Sequence, residues 1–252
     1  MTRDESTRVV ANPVPGVFAA GTSRTPLLFQ TGSSEAGMNF AAANAEAQFL
    51  IVPRPEVAAS VIETTRGLLP KYGRRCEDLK FFQGLSFVVG STEEEAARKD
   101  RELDEAIDAE TMIAHLGGAL DIQMSEYSLD HPLAGIQTDG SRSLLDWVQA
   151  SVVGRQATVR DIAVLTIRSS RVTGTPEHIA QQLATWQEAG IDGINVTNAT
   201  IPGSYTEFIE HVLRKQGLAR EAYTPGTLRR KLFGRDTLPD THPATAYRGA
   251  FC

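Results

Sequence analysis

Residues 25–40 read TPLLFQTGSSEAGMNF, and how this stretch is parsed decides the fold. The apolar run at 27–29 has the length and composition of a short strand, Thr31-Gly32-Ser33-Ser34 is a small-residue turn, and a helix opens at Glu35. A strand–turn–helix unit results. The first N–H groups of a helix lack intrahelical acceptors, so with the Ser33 and Ser34 hydroxyls beside them, and Gly32 allowing close approach, the turn suits a bound phosphate. Serine is also an ordinary N-cap, and from spacing alone that reading stands beside the first. Glu35 counts mildly against an anion, although an acidic first turn is common dipole compensation. Gln30 and Thr31, at the strand end, are secondary candidates.

The same unit recurs downstream. Residues 45–52, AEAQFLIV, end in a continuous apolar run that fits a strand buried on both faces, stopped by Pro53 and Pro55. Residues 56–69 place Val57, Val61, Ile62 and Leu68 on one helical face, closed by Pro70 and Gly73. LKFFQGLSFVV at 79–89 is a third strand, with Gly84 expected at a bulge or a close approach, and Thr92 with Glu95 forms a capping-box pattern before a helix that turns Leu103 and Ile107 inward. From 111 to 170 the rhythm is lost. That stretch reads as a mostly helical insertion, punctuated by Gly117-Gly118 and HPLAG at 131–135, with one helix around Trp147, Val148, Val152 and Val153 and another at 159–167. The alternation returns with Thr175 as a cap and Pro176 at the first helical position, then Ile179, Leu183 and Trp186 at helical spacing. A fourth strand at 192–198 alternates Ile194 and Val196 with Gly193, Asn195 and Thr197, a polar face that either lines a site or is satisfied by neighbouring backbone. Phe208, Val212 and Leu213 mark a last helix. Residues 1–24 read as a lead-in, 25–234 as one α/β body built on a parallel sheet, and 235–252 as a poorly ordered tail.

Bulk properties exclude several classes. A formal net charge of -6 and a pI near 5.4 disfavour nucleic-acid and anionic-membrane surfaces, and Arg229-Arg230-Lys231 is too short a run to reverse that. No apolar stretch has the length a bilayer requires and no leader pattern opens the chain, so a cytoplasmic protein is expected. Cys76 and Cys252 lack metal-ligand spacing and form no disulfide framework. His178 falls in the first turn of a helix, while His115, His131, His211 and His242 occur singly, so surface or capping roles are expected and no metal site. The dinucleotide fingerprint, the P-loop and the nucleophile elbow are all missing. Arg24, Arg54 and Arg168 could each meet a carboxylate.

The segments RTPLLFQTGSSEAG, AEAQFLIV, LKFFQGLSFVVGSTEEEA, VTGTPEHIAQQLATWQEAGIDGINV and TPGTLRRKLFG, in this order, resemble flavin-dependent monooxygenases. The branch is that of the nitrilotriacetate and dibenzothiophene-sulfone monooxygenases, within the bacterial-luciferase-like superfamily. The resemblance implies the C-terminal half of a luciferase-like (β/α)8 TIM barrel, with FMN held at the C-terminal ends of the strands. It implies that QTGSS lies beside the FMN phosphate, which makes Gly32, Ser33 and Ser34 the cofactor-binding candidates; no catalytic residue is assigned. It further implies a two-component reaction in which a flavin reductase supplies reduced FMN and one oxygen atom of O2 enters a small organic substrate, with the insertion at 111–170 as a candidate wall or lid. A closed barrel has eight strands. With about four expected here, catalysis is expected to need an N-terminal half that this pattern lacks. The alternative is a non-catalytic or degenerate half-barrel that assembles through its sheet edges, and either case points to a homo-oligomer, most simply a homodimer.

Overall fold

The computed structural model describes residues 26–120, 126–136, 142–201, 203–218, 222 and 225–247. Thr25 and the lead-in at 1–24 lie outside the described residues. The chain divides into two units, one of residues 1–49, 60–81 and 222–252, the other of residues 50–59 and 82–221.

In the first unit, β1 (Phe29–Thr31) pairs in parallel with β2 (Ala47–Leu50), Phe29 opposite Ala47, and α1 (Glu35–Asn44) connects them. A parallel pair requires such a crossover. α1 buries Ala41 and Ala42, side chains small enough to let the helix backbone approach closely. Its terminal carbonyls are satisfied by Arg74, whose Nη1 donates to Ala41 O (3.2 Å) and Ala42 O (2.8 Å) and whose Nη2 donates to Ala45 O (2.6 Å) and Asp78 O (2.7 Å). Burial lowers the pKa of this guanidinium, while Asp78 and Glu46 oppose the shift. α2 (Pro55–Leu68), whose residues from 60 onward belong to this unit, starts on a proline, whose missing N–H is no loss at that position, and passes into a 3-10 turn at Leu69–Tyr72 closed by Gly73 at φ 65°.

Of the tail expected to be poorly ordered at 235–252, residues 235–247 are folded onto the first unit, and 248–252 lie outside the described residues. Arg235 reaches Asp78 Oδ1 at 3.3 Å, Leu238 and His242 are buried, and Pro243–Tyr247 forms a 3-10 turn. Composition pointed to disorder because Pro, Thr and Asp give no apolar period. Instead the segment is held by individual polar contacts. Of the surface or capping roles expected of it, His242 takes the second: it is buried, with Nε2 2.9 Å from Asn44 O, and its Nδ1 accepts from Ala244 N–H at the start of the 3-10 turn.

In the second unit, β3 (Lys80–Val89) carries two parallel partners. β4 (Arg171–Gly174) lies along Ser86–Val89, and β5 (Gly193–Thr197) along Phe82–Ser86. Leu85, Phe87, Val88 and Val89 are buried, as a parallel strand covered on both faces requires. The β5 register runs through Gly84 without interruption, so of the bulge or close approach expected there the bulge is not formed. β4 is the strand that sequence reading missed: RVTG has one apolar residue and no room for an alternation to show. Among the described residues, four expected strands become five.

α3 (Glu93–Glu105) is capped by Thr92, whose side chain accepts from Glu95 N–H. Glu95 reaches back to Ser91 N–H at 2.8 Å, one residue earlier than the expected box, and the Ser91 hydroxyl and N–H pull its pKa down to about 2. The stretch expected to be helical contains α4 (Ala109–Leu120), α5 (Arg142–Ser151) and α6 (Val159–Ser169). These share a core of their own, with Ile113, Leu145, Val148, Val159 and Ile162 buried together. α7 (Pro176–Glu188) has the expected cap, Thr175 accepting from His178 N–H at 3.3 Å. α8 (Gly203–Glu207) continues into a π-helical turn at Phe208–Arg214, and Phe208 stacks on Phe87 with ring centroids 3.8 Å apart. Back in the first unit, α9 (Leu228–Phe233) is capped by Thr227 and ended by Gly234 at φ 70°.

Candidate functional site

The turn between β1 and α1 brings Gly32, Ser33 and Ser34 to the C-terminal end of a parallel strand, and all three are exposed. Gly32 takes φ 114°, a conformation L side chains rarely adopt, and this lets the chain leave β1 and reach the helix start within three residues. Ser34 is the N-cap: its Oγ accepts from Gly37 N–H at 3.2 Å, which leaves the hydroxyl proton available to a ligand. Capping therefore occupies the acceptor side of the hydroxyl and leaves its donor side unused. The Glu35 and Ala36 amides fall in the first turn, where no intrahelical carbonyl can reach them. Gly37 closes the back of the turn, since a Cβ there would sit 3.2 Å from Ser34 Oγ and 3.3 Å from Gly32 O.

Gln48 on β2 orients this turn. It is fully buried, and its Nε2 donates to Gly32 O at 2.8 Å. Because the carbonyl and N–H of one peptide unit point in opposite directions, that bond aims the Ser33 N–H away from the strand. Gln48 Oε1 and Gln30 Oε1 are buried with no partner among the described residues, while Gln30 Nε2 donates to Thr31 O. An unpartnered buried acceptor costs about 1–3 kcal/mol, so two of them at one turn call for a donor from elsewhere. The site thus offers N–H and O–H donors to an anionic oxygen and amide oxygens to hydroxyl groups. A sugar- or polyol-phosphate has that complement.

A buried ion pair braces the same two strands. Arg229 on α9 donates from Nε to Glu46 Oε1 at 2.7 Å and from Nη2 to Glu46 Oε2 at 2.8 Å, with only 3% and 1% of the two side chains exposed. Arg229 Nη2 also reaches Pro26 O at 2.9 Å, and Glu46 Oε2 accepts from Leu28 N–H at 3.2 Å, which ties the start of β1 to the start of β2. Neither Gln48 nor this pair was singled out from sequence. A signal existed for Gln48, a polar residue inside the apolar run AEAQFLIV, because a buried amide needs partners. For Arg229 none did, since Arg229-Arg230-Lys231 reads as ordinary surface charge.

Among the described residues no group of His, Cys, Asp and Glu could hold a metal ion, and no helix is long and apolar enough to cross a membrane. His178 Nδ1 lies 3.3 Å from Glu93 Oε1 at the surface, a pairing across two helix starts.

With parallel strands each followed by a helix, and a donor-rich turn at a strand end, the chain has the architecture of a parallel α/β protein. The luciferase-like monooxygenase family matches residues 2–193, and the chain belongs to that family. It is 35% identical over 253 residues to dimethyl-sulfide monooxygenase of Hyphomicrobium sulfonivorans, a match covering 94% of this chain and 52% of that protein. The crystal structure of DmoA from Hyphomicrobium sulfonivorans aligns with a TM-score of 0.76 at 34% identity, covering 91% of this chain and 50% of that one. The crystal structure of riboflavin lyase (RcaE), with modified FMN and the substrate riboflavin, aligns with a TM-score of 0.75 at 31% identity, covering 89% and 50%. The chain spans about half the length of the curated relatives it matches.

Proposed function

We propose that this chain supplies the FMN-phosphate site of a flavin-dependent monooxygenase. Such an enzyme would receive reduced FMN from a separate flavin reductase and insert one oxygen atom of O2 into a small organic substrate. The observation that carries the proposal is the β1–α1 turn, where Gly32, Ser33 and Ser34 present donors held in place by Gln48. The residues fit the group: the Ser33 and Ser34 amides and hydroxyls, with the first amides of α1, would hold the phosphate, and the orphan oxygens of Gln48 and Gln30 would accept from ribityl hydroxyls. FMN when bound would supply the oxygen-activating chemistry. The chain's own residues would bind it, orient it and keep water away. Because the chain spans about half of its relatives' length, catalysis is proposed only together with the remaining barrel strands. A homodimer in the cytoplasm is the assembly this reading implies.

The Ser34 cap favours a second reading, in which the turn merely starts α1 and the protein is a non-catalytic half-barrel that assembles through its sheet edges. Titrating the purified chain with FMN, oxidised and then reduced without oxygen, separates the two. Binding on the order of micromolar that is lost in the Ser33→Ala/Ser34→Ala double variant is expected. A folded chain that binds no FMN would leave only the second reading.

A further inference from the structure

The second unit contains a cleft of about 540 Å³ that plays no part in the flavin reading. Three of its lining residues are Arg54, Arg168 and Arg171, and Trp147, Leu165 and Val153 supply apolar surface. A volume of this size takes a drug-sized molecule. Two of the three arginines individually able to meet a carboxylate by sequence, Arg54 and Arg168, are here brought to one place.

The guanidiniums are unequal. Arg171 is committed: only 6% of its side chain is exposed, and Nη1 donates to Asp100 Oδ1 and Asp104 Oδ1, each at 2.8 Å. Arg168 is half exposed and shares Asp104 at 3.5 Å, an ion pair without a hydrogen bond, and Arg54 on the loop after β2 is exposed. Among the described residues neither Arg54 nor Arg168 makes a side-chain hydrogen bond, so both forks keep their donors for a ligand. Asp100 and Asp104 both pair with Arg171 and Asp104 also with Arg168, while among the described residues Arg54 makes no ion pair. Val153 is 91% exposed beside them, an apolar residue in water at the edge of a charged cleft. A planar two-oxygen anion matches a guanidinium fork, and an indole suits the body of an organic ligand better than it suits a bare ion.

We propose that this cleft binds an organic monoanion, a carboxylate whose head meets Arg54 and Arg168 and whose apolar body lies on Trp147, Leu165 and Val153. The site does not rest on the flavin reading. The proposal is tested without flavin by calorimetric titration of the full chain with octanoate, octanol and inorganic phosphate, following tryptophan fluorescence in parallel. Trp186 is buried on α7, so a change at the cleft reports through Trp147. One saturable octanoate site is expected, with octanol and phosphate each weaker by about tenfold or more, since charged hydrogen bonds and apolar contact both contribute. Arg54→Gln and Arg168→Gln should each weaken octanoate about tenfold. Val153→Asp, at a position where no packing is lost, should also weaken it through like-charge repulsion. Circular dichroism checks that each variant is folded. Equal binding of octanoate and octanol, phosphate binding as tightly as octanoate, full affinity in both arginine variants, or no saturable octanoate binding at all would overturn the proposal.

Discussion

Ser34 caps α1, and substitutions can separate that role from the proposed contact with a phosphate. Ser34→Ala removes the acceptor for Gly37 N–H and should cost about 1 kcal/mol of stability, read by urea denaturation. Ser34→Asp keeps an acceptor at the cap and compensates the helix dipole, so stability should hold, yet it places a carboxylate where the phosphate oxygens would bind. FMN affinity should fall about tenfold or more in Ser34→Asp, and an unchanged affinity would assign Ser34 to capping alone. Gln48 invites the opposite experiment. Its Oε1 is buried without a partner, so Gln48→Leu removes an unsatisfied group while filling the same space, and stability should not drop. The tie to Gly32 O is lost at the same time, and weaker FMN binding should follow. A variant that is stable but binds poorly is what a residue retained for a ligand predicts.

Buried polar groups tie the elements of the first unit together alongside its apolar core. Arg229→Met would strand Glu46 in a site where 1% of its side chain is exposed, and a cost of about 3–5 kcal/mol is expected in chemical denaturation. Adding Glu46→Leu should recover much of it, because replacing both partners removes the uncompensated charge. His242 gives the same unit a pH dependence. Burial and the nearby Arg74 and Arg229 cations lower its pKa, against the bond to Asn44 O and the Glu46 carboxylate, while its Nδ1 accepts from Ala244 N–H at 3.1 Å. The neutral ring is therefore the folded form. Between the ordinary value of 6.5 and the depressed one, the unfolded chain binds a proton that the folded chain does not. Stability should be full above about pH 6.5 and fall as the pH drops through that window. His242→Phe should flatten the slope of stability against pH there, measured as urea midpoints in matched buffers.

At the scale of the whole molecule, the family assignment rests on the match over residues 2–193 and on 35% identity across 94% of the chain to a relative about twice as long. Within the chain, strand, turn and helix recur, and a separately cored set of helices interrupts them. Ligand linkage should be visible at this scale. If the β1–α1 turn holds FMN in the folded chain only, FMN at 100 times its Kd should raise unfolding stability by about 2.7 kcal/mol, and the Ser33→Ala/Ser34→Ala variant should show no such gain. Thermal melts with and without FMN check this directly. The carboxylate cleft belongs to the other unit, so octanoate and FMN report on different parts of the chain.

Local punctuation and apolar runs determined much of this protein from sequence alone. Ser34, Thr92, Thr175 and Pro176 start their helices where the residues said they would, because capping is a contact between neighbours in the chain. The 79–89 run became β3 because ten residues of mostly apolar chain have few other places to go. β4 escaped notice because four residues carry no readable period, and its strand character comes from pairing with β3 across about 85 positions of chain. Gln48 on Gly32, Arg229 on Glu46, His242 on Asn44, and Arg54 with Arg168 at one cleft were decided by tertiary structure. Each joins residues 16 to 198 positions apart, or more than 100 in the cleft, and no spacing rule reaches that far: which polar group finds which partner is settled only when folding removes water from both.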